Sequence, residues 1–329
     1  MTVNALYPTV SPSLDLNFVR SGVLDSRVTF TRSSTATYFN SFGTLSTALT
    51  NVPRLDYNPS TLAAQGLLIE EARTNLLVRS AELDNASWTK SNATATANTT
   101  TSPDGATNAD SLIEDTSTTT HSTLQGITFT AASHTISAFV KANGRNFVRL
   151  VIFDGVSAFA AYFNISTGVV GTLSGTGTSA SISAINNGWY RCSITATTAA
   201  GVGNATIRIA SADGTDSYTG NGTSGLFIWG FQLEAGAFPT SYIPTTTTAL
   251  TRSADVASVN TLTPWYNATE GTLYSESLLT RQSAIAGTNV FYIWNTTTSE
   301  IKLYYRGAGT TGATVVDATV NQADLTPTG

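Results

Sequence analysis

Charge is sparse in this chain. Asp, Glu, Lys and Arg together make up 11% of its 329 residues, against about 25% in an average globular protein. Its surface must therefore be built mainly from uncharged polar groups. With a net charge of −5 it offers no basic patch or stripe to a phosphate backbone, which excludes nucleic acid as a partner. Cysteine is scarcer still: Cys192 stands alone, so no intrachain disulfide framework exists and stability must come from core burial or from association with other chains. Two histidines, His121 and His134, are a thin inventory for acid–base catalysis. No stretch approaches the roughly 20 apolar residues of a membrane span. The opening MTVNALYPTV lacks a basic region followed by an apolar run, so assembly in a cytoplasm without membrane insertion is expected.

Threonine, serine, asparagine, alanine and glycine are abundant. Threonine is β-branched and suits a pleated face, while the helix formers Glu and Lys are few, so an all-β chain is expected. The strongest strand lies in residues 225–245, GLFIWGFQLEAGAFPTSYIPT. Strict alternation puts Phe227, Trp229, Phe231 and Leu233 on one face, and the other passes from Leu226 and Ile228 to Gly230, Gln232 and Glu234. That reads as a central strand whose second face becomes wet. Gly236, Pro239 and Pro244 then stop the ladder and mark a domain end. Upstream, alternating sets recur at sandwich spacing: Val148, Leu150 and Ile152, then Phe159, Ala161 and Phe163, then Cys192 and Ile194, then Ile207 and Ile209. Turn signals fall between them at Asn143-Gly144, Asn187-Gly188, Asp213-Gly214 and Asn221-Gly222. Residues 76–244 are thus expected to form an antiparallel β-sandwich of jelly-roll type.

Residues 1–75 read as short strands and turns without a complete core, an extended β arm. The arm closes on GLLIEEARTNLL, residues 66–77, where Glu70, Glu71 and Arg73 interrupt an apolar run. Arg73 is expected to pair with Glu70 or Glu71 and pin the arm to the next domain. A catalytic carboxylate pair is disfavoured there, because adjacent strand residues point to opposite faces. Thr31-Arg32-Ser33-Ser34 is echoed by Thr251-Arg252-Ser253-Ala254, which suggests equivalent edge or linker roles. Residues 245–253 form a threonine-rich linker. Residues 254–329 read as strands near 272–277, 289–295, 300–306 and 313–320, too few residues for a lone sandwich of about 100. A partial sandwich is expected, either cut short or completed by another chain.

Several stretches coincide in order with one family. TFTRSSTATYFNSFGTL (29–45), NVPRLDYNP (51–59) and GLLIEEARTNLL resemble the arm of phage head-spike and tail-fibre proteins. The segments at 88–114, 136–150, 186–195 and 225–245 resemble the carbohydrate-binding-module-like jelly roll of the same proteins. WYNATEGTLY (265–274) is similar to the opening strand of a concanavalin-like sandwich often attached to them. The resemblance implies a structural protein of a tailed-phage virion, head fibre or tail fibre, docked on other capsid or tail proteins. It also implies a homo-oligomer, most simply a trimer, and contact with a host-surface glycan. The competing expectation is a carbohydrate-binding module of a polysaccharide-degrading enzyme, with an intact hydrolase third.

The chemistry available fits binding better than catalysis. No G-x-S-x-G, H-E-x-x-H or phosphate-cradling loop is present, so no catalytic residue and no cofactor is expected. Asp110, Glu114, Asp115 and Glu234 stay open as a spatial carboxylate pair. No calcium loop is readable around Glu82, Asp84 and Glu234, and no metal is expected. Sugar recognition needs an aromatic plate beside hydrogen-bonding side chains. Trp88, Tyr162 and Tyr218, set among Asn, Ser and Thr, are the candidates.

Overall fold

The computed structural model describes residues 12–266 and three further strands, Thr288–Trp294, Glu300–Tyr305 and Val316–Val320. The chain divides into two compact units, Phe18–Ser258 on one hand and Met1–Asn17 with Val259–Gly329 on the other.

The larger unit is all-β apart from one helical turn at Phe18–Ser21 and a short 3-10 turn at Asn186–Gly188. Six short strands make the arm: β1 (Val28–Thr31), β2 (Ala36–Phe39), β3 (Leu45–Ala48), β4 (Leu55–Tyr57), β5 (Ala64–Leu67) and β6 (Arg73–Asn75). Thirteen follow: β7 (Thr89–Ser91), β8 (Ala93–Thr101), β9 (Thr107–Glu114), β10 (Thr118–Phe129), β11 (Ala132–Asn143), β12 (Phe147–Phe153), β13 (Ala158–Asn164), β14 (Val169–Ser174), β15 (Ser179–Ala184), β16 (Tyr190–Thr198), β17 (Gly201–Ala210), β18 (Ser217–Thr219) and β19 (Gly225–Ala235). They form two antiparallel sheets. One runs β14-β13-β12-β17-β10-β18 with β7 also on β10, the other β15-β16-β11-β19-β9-β8. The sandwich core lies between them, where Leu112, Ile136, Cys192 and Ile228 of one sheet and Leu150, Phe163 and Ile207 of the other are fully buried.

β19 departs from strict alternation. Leu226, Ile228, Phe231 and Leu233 all point into the inter-sheet core, whereas Trp229 lies on the outer face in a second cluster with Phe139, Trp189, Leu45 and Tyr242. The two sets change parity at Gly230, whose φ of +60° suits a residue without a Cβ. The β11–β19 register shifts between Ser137 and Phe139, opposite this point, as a β-bulge requires. A Cβ on Gly230 would come within 2.9 Å of the Phe139 ring. The expected wet face is also absent: Gln232 and Glu234 are both 0% exposed. The chain folds back over them after Pro239. Glu234 accepts hydrogen bonds from the Thr240 amide at 3.0 Å and hydroxyl at 2.8 Å, and the Ile243 amide donates to Gln232 Oε1 at 2.7 Å. Period-two reading missed this because a bulge flips the faces and a return segment covers the polar pair.

Residues 250–258 return to the arm. β20 (Leu250–Arg252), within the stretch read as a linker, pairs with β6, and β21 (Val256–Val259) pairs with β1. The hairpins β2–β3 and β4–β5 complete the arm. Its hairpin β2–β3 supplies Leu45 and Phe39 to the aromatic cluster on the outer face of the six-stranded sheet, with Phe39 and Phe139 edge to face at 6.5 Å. Trp229 and Tyr242 meet at 4.7 Å in the same cluster. At the arm–sandwich junction the buried Asn75 donates to the Ile243 carbonyl at 2.9 Å and accepts from the Leu233 amide at 3.1 Å.

In the smaller unit β22 (Thr288–Trp294), β23 (Glu300–Tyr305) and β24 (Val316–Val320) form an antiparallel sheet in that order. The strand expected at 272–277 lies outside the described residues.

Candidate functional site

The three rings named from sequence fall in three separate environments. Trp88 is 2% exposed, stacked on Phe231 at 5.2 Å, and its indole N–H donates to the Arg79 carbonyl at 2.9 Å. It is a core residue and cannot serve as a sugar platform. Tyr162 is 6% exposed. Its hydroxyl donates to Asp216 Oδ1 at 3.0 Å, and the Arg149 guanidinium covers its ring at 5.0 Å, so its face is already taken. Tyr218, half-buried, donates to Glu114 Oε2 at 2.6 Å and stacks under Arg145 at 4.9 Å. Burial, then the bond to Glu114, pushes the Tyr218 phenol up. A composition rich in Ser, Thr and Asn around an aromatic says nothing about which side of the sheet it occupies, and the three rings accordingly differ in burial, with Trp88 and Tyr162 buried and Tyr218 half-buried.

The four carboxylates left open as a pair share no hydrogen-bond partner. Asp110 accepts from the Leu83 and Asn98 amides at 2.6 and 3.0 Å. Glu114 accepts from Arg145 Nε at 2.9 Å, Tyr218 and the Asn221 amide. Burial raises the Glu114 pKa, but these donors overcome it and hold the carboxyl below its usual range. Asp115 caps the turn at Ser117, and Glu234 is held by Thr240. His121 donates from Nδ1 to the Asn92 carbonyl at 2.7 Å, and His134 Nδ1 lies 2.9 Å from the Thr198 hydroxyl. Both rings are buried.

Where the arm meets β21 the chain concentrates its sparse charge. Arg32, Arg54 and Arg252 are each 1% exposed or less, around Glu70 and Asp255. Arg32 Nη1 reaches Asp255 Oδ1 at 3.0 Å, Arg54 Nη1 reaches Glu70 Oε2 at 2.7 Å, and Arg54 Nη2 bonds the second oxygen of Asp255. Arg252 lies 3.5 Å from Glu70 and 3.9 Å from Asp255. The Glu70 amide donates to Asp255 at 2.8 Å, and Ser241 donates to Glu70 from its amide at 2.7 Å and its hydroxyl at 2.6 Å. Arg32 also donates to the Ser34, Leu49 and Val52 carbonyls. Burial raises the Glu70 pKa, but Arg252 and Arg54 outweigh it and hold the carboxyl below its usual range. Asp56, beside this group, is pushed up to about 6 by burial.

Glu70 therefore pairs with Arg54 and Arg252, while Arg73 pairs with Glu71 in a bridge half exposed on the acid's side. The echoed fragments are what bring the network together: Arg32 and Arg252 occupy the same fragment position, Ser33 bonds Ser253 at 2.8 Å, and the Ser253 amide donates to Ser34 at 2.9 Å. The echo was the legible signal; Asp255, three residues past Arg252, was the partner that carried no local mark.

A second feature sits where the β2–β3 turn touches the sandwich. A cleft of about 60 Å³ is lined by Phe42, Thr44, Ser102, Asn186, Asn187 and Trp189, among others. Phe42 stands 79% exposed at its rim and Trp189, 1% exposed, forms its floor.

No protein-family model and no curated protein matches the chain. Among solved structures it is similar to the CBM22-1–GH10 modules of the N-terminal endo-1,4-β-D-xylanase 10B of Clostridium thermocellum, complexed with xylohexaose. That match has 14% identity and a TM-score of 0.29, over 49% of this chain and 27% of that chain.

Proposed function

We propose that this chain is a structural component of a tailed-phage virion, a head or tail fibre protein, and that it serves attachment to host-surface glycan. The observation that carries this reading is the buried ionic clasp. Three arginines and two carboxylates, all at or below 12% side-chain exposure, tie the arm to the segment that follows the sandwich. A buried pair is costly to break from one side, of order 3–5 kcal/mol, so the arm is a permanent brace. A freely diffusing sugar-binding module has no use for such a brace; a particle protein that transmits load from a bound cell does.

The arm's surface supports the same reading. Val19, Val23, Leu49, Ile69, Leu250 and Val256 are 46–65% exposed, and the arm's sheets are each two-stranded. Apolar side chains and open strand edges of this kind suit further chains, either copies in a trimer or other capsid or tail proteins. The role is binding and assembly, without catalysis, metal or cofactor. Immunogold labelling of purified particles with antibody to the sandwich tests it. Gold at a fixed position on the head or tail supports the reading, and unlabelled, intact particles refute it.

A further inference from the structure

We propose that the cleft between the β2–β3 turn and the Asn186–Gly188 turn binds an uncharged pyranose ring, with Phe42 as its platform. This inference rests on the attachment role above and gives it a place. Phe42 is the one aromatic ring among the described residues that stands exposed, at 79%. Its exposure is not the slack of a loose loop. Asn40 Oδ1 accepts from the Phe42 amide at 2.9 Å and from the Thr44 amide at 3.1 Å. The Gly43 amide donates to the Asn40 carbonyl at 2.9 Å, and Asn40 Nδ2 donates to Ser46 at 2.9 Å. The Phe42 carbonyl accepts from Asn186 Nδ2 at 3.2 Å. These bonds hold the turn that carries the ring, so much of the ordering cost of a platform is met before a ligand arrives.

The chemistry of the cleft selects the ligand class. Its lining contains no charged side chain, and Asp104, between the lining residues Pro103 and Gly105, is engaged by Ser102, the Ala106 amide and Asn108. The lining itself offers an anionic sugar no cation, the Lys141 side chain standing outside it beside Gly188 of the adjoining turn, so the groups that face the ligand suit a neutral sugar. An aromatic face beside amides and hydroxyls matches a ring with apolar C–H faces and a polar rim. Asn187 is held at φ +59° in the adjoining turn, and its side-chain amide makes no hydrogen bond within the described chain. It is thus a free donor and acceptor at the rim. A cleft of about 60 Å³ has room for a few water molecules. It admits one substituent, a hydroxymethyl or acetamido group, while the ring itself lies across Phe42.

The test is an array of neutral and acidic bacterial-surface oligosaccharides probed with the full chain in its native assembly. Parent protein is compared with Phe42→Ala, Phe42→Tyr and Asn187→Gly; glycine keeps the positive φ while removing the amide. Neutral glycans are expected to bind, with Phe42→Ala weakening the signal about tenfold or more, Phe42→Tyr retaining it, and Asn187→Gly weakening it severalfold. Bound neutral oligosaccharide should also shift Trp189 emission. Binding confined to acidic glycans, no binding to any glycan, or binding indifferent to Phe42→Ala overturns the proposal. Antibody-labelled particles without an array signal would overturn this site and leave the virion role standing.

Discussion

Replacing Asp255 by asparagine probes the clasp most sharply. The parent carboxylate accepts Arg32 at 3.0 Å, the Glu70 amide at 2.8 Å and Arg54, with side-chain exposure of 0% for Asp255, Arg32 and Arg54 alike. Asparagine keeps the shape and one acceptor oxygen but removes a charge, leaving three buried guanidinium groups against Glu70. Breaking a buried pair from one side costs about 3–5 kcal/mol. At about 2–4 °C per kcal/mol for a domain of this size, the melting point should fall by roughly 6–20 °C. Glu71→Gln is the matched control, because Glu71 is 49% exposed in its bridge to Arg73, and such a pair is worth about 0–1 kcal/mol. Urea titrations followed by tryptophan emission and far-UV circular dichroism give both values. Equal losses in the two variants, or a loss below about 1 kcal/mol for Asp255→Asn, would refute the idea that this network holds the arm.

Other perturbations have equally definite outcomes. Asp56→Asn should stabilise the protein above pH 6: burial raises the Asp56 pKa from 3.8 to about 6, so the folded state favours the protonated acid and its contribution is full below about pH 4 and lost as pH rises through 6. The two-unit shift corresponds to about 3 kcal/mol, and parent and variant melting curves should converge near pH 4. Trp88→Ala, by contrast, should cost about 3–5 kcal/mol through the cavity it leaves beside Phe231, measured by chemical denaturation, with no specific effect on glycan signal at a temperature where the variant is folded. Gly230→Ala should destabilise by at least about 1–3 kcal/mol, since the new Cβ sits at positive φ and against the Phe139 ring. Cys192, 0% exposed with its thiol pushed up by burial, should react with a thiol reagent only as fast as the chain unfolds.

Much of the sandwich could be read directly. The alternating sets in β12, β13, β16 and β17 face the inter-sheet core as their spacing demands, because each set keeps one parity through its antiparallel pairing. β19 could not, because the Gly230 bulge inverts parity mid-strand and only tertiary cover by 240–243 explains why Gln232 and Glu234 are dry. The clasp was half visible. The Thr-Arg-Ser echo marked Arg32 and Arg252, and of the two acids expected for Arg73 it is Glu71 that pairs with it, while the partners of Glu70 lie 16 and about 180 residues away. The cleft left no mark at all, since Phe42 sits in an ordinary turn sequence and its exposure depends on where the arm docks.

The claim on which the rest depends is that arm and sandwich form one cooperative body, and native-state hydrogen exchange tests it most directly. The amides of Leu68, Glu70 and Asn51, which donate to Arg54 O, Asp255 and Arg32 O, should open with the same free energy as amides in the centre of β11, and that free energy should track urea identically in both regions. Arm amides that exchange at a markedly lower free energy, independent of urea, while β11 stays protected would show a separately opening arm and contradict the account.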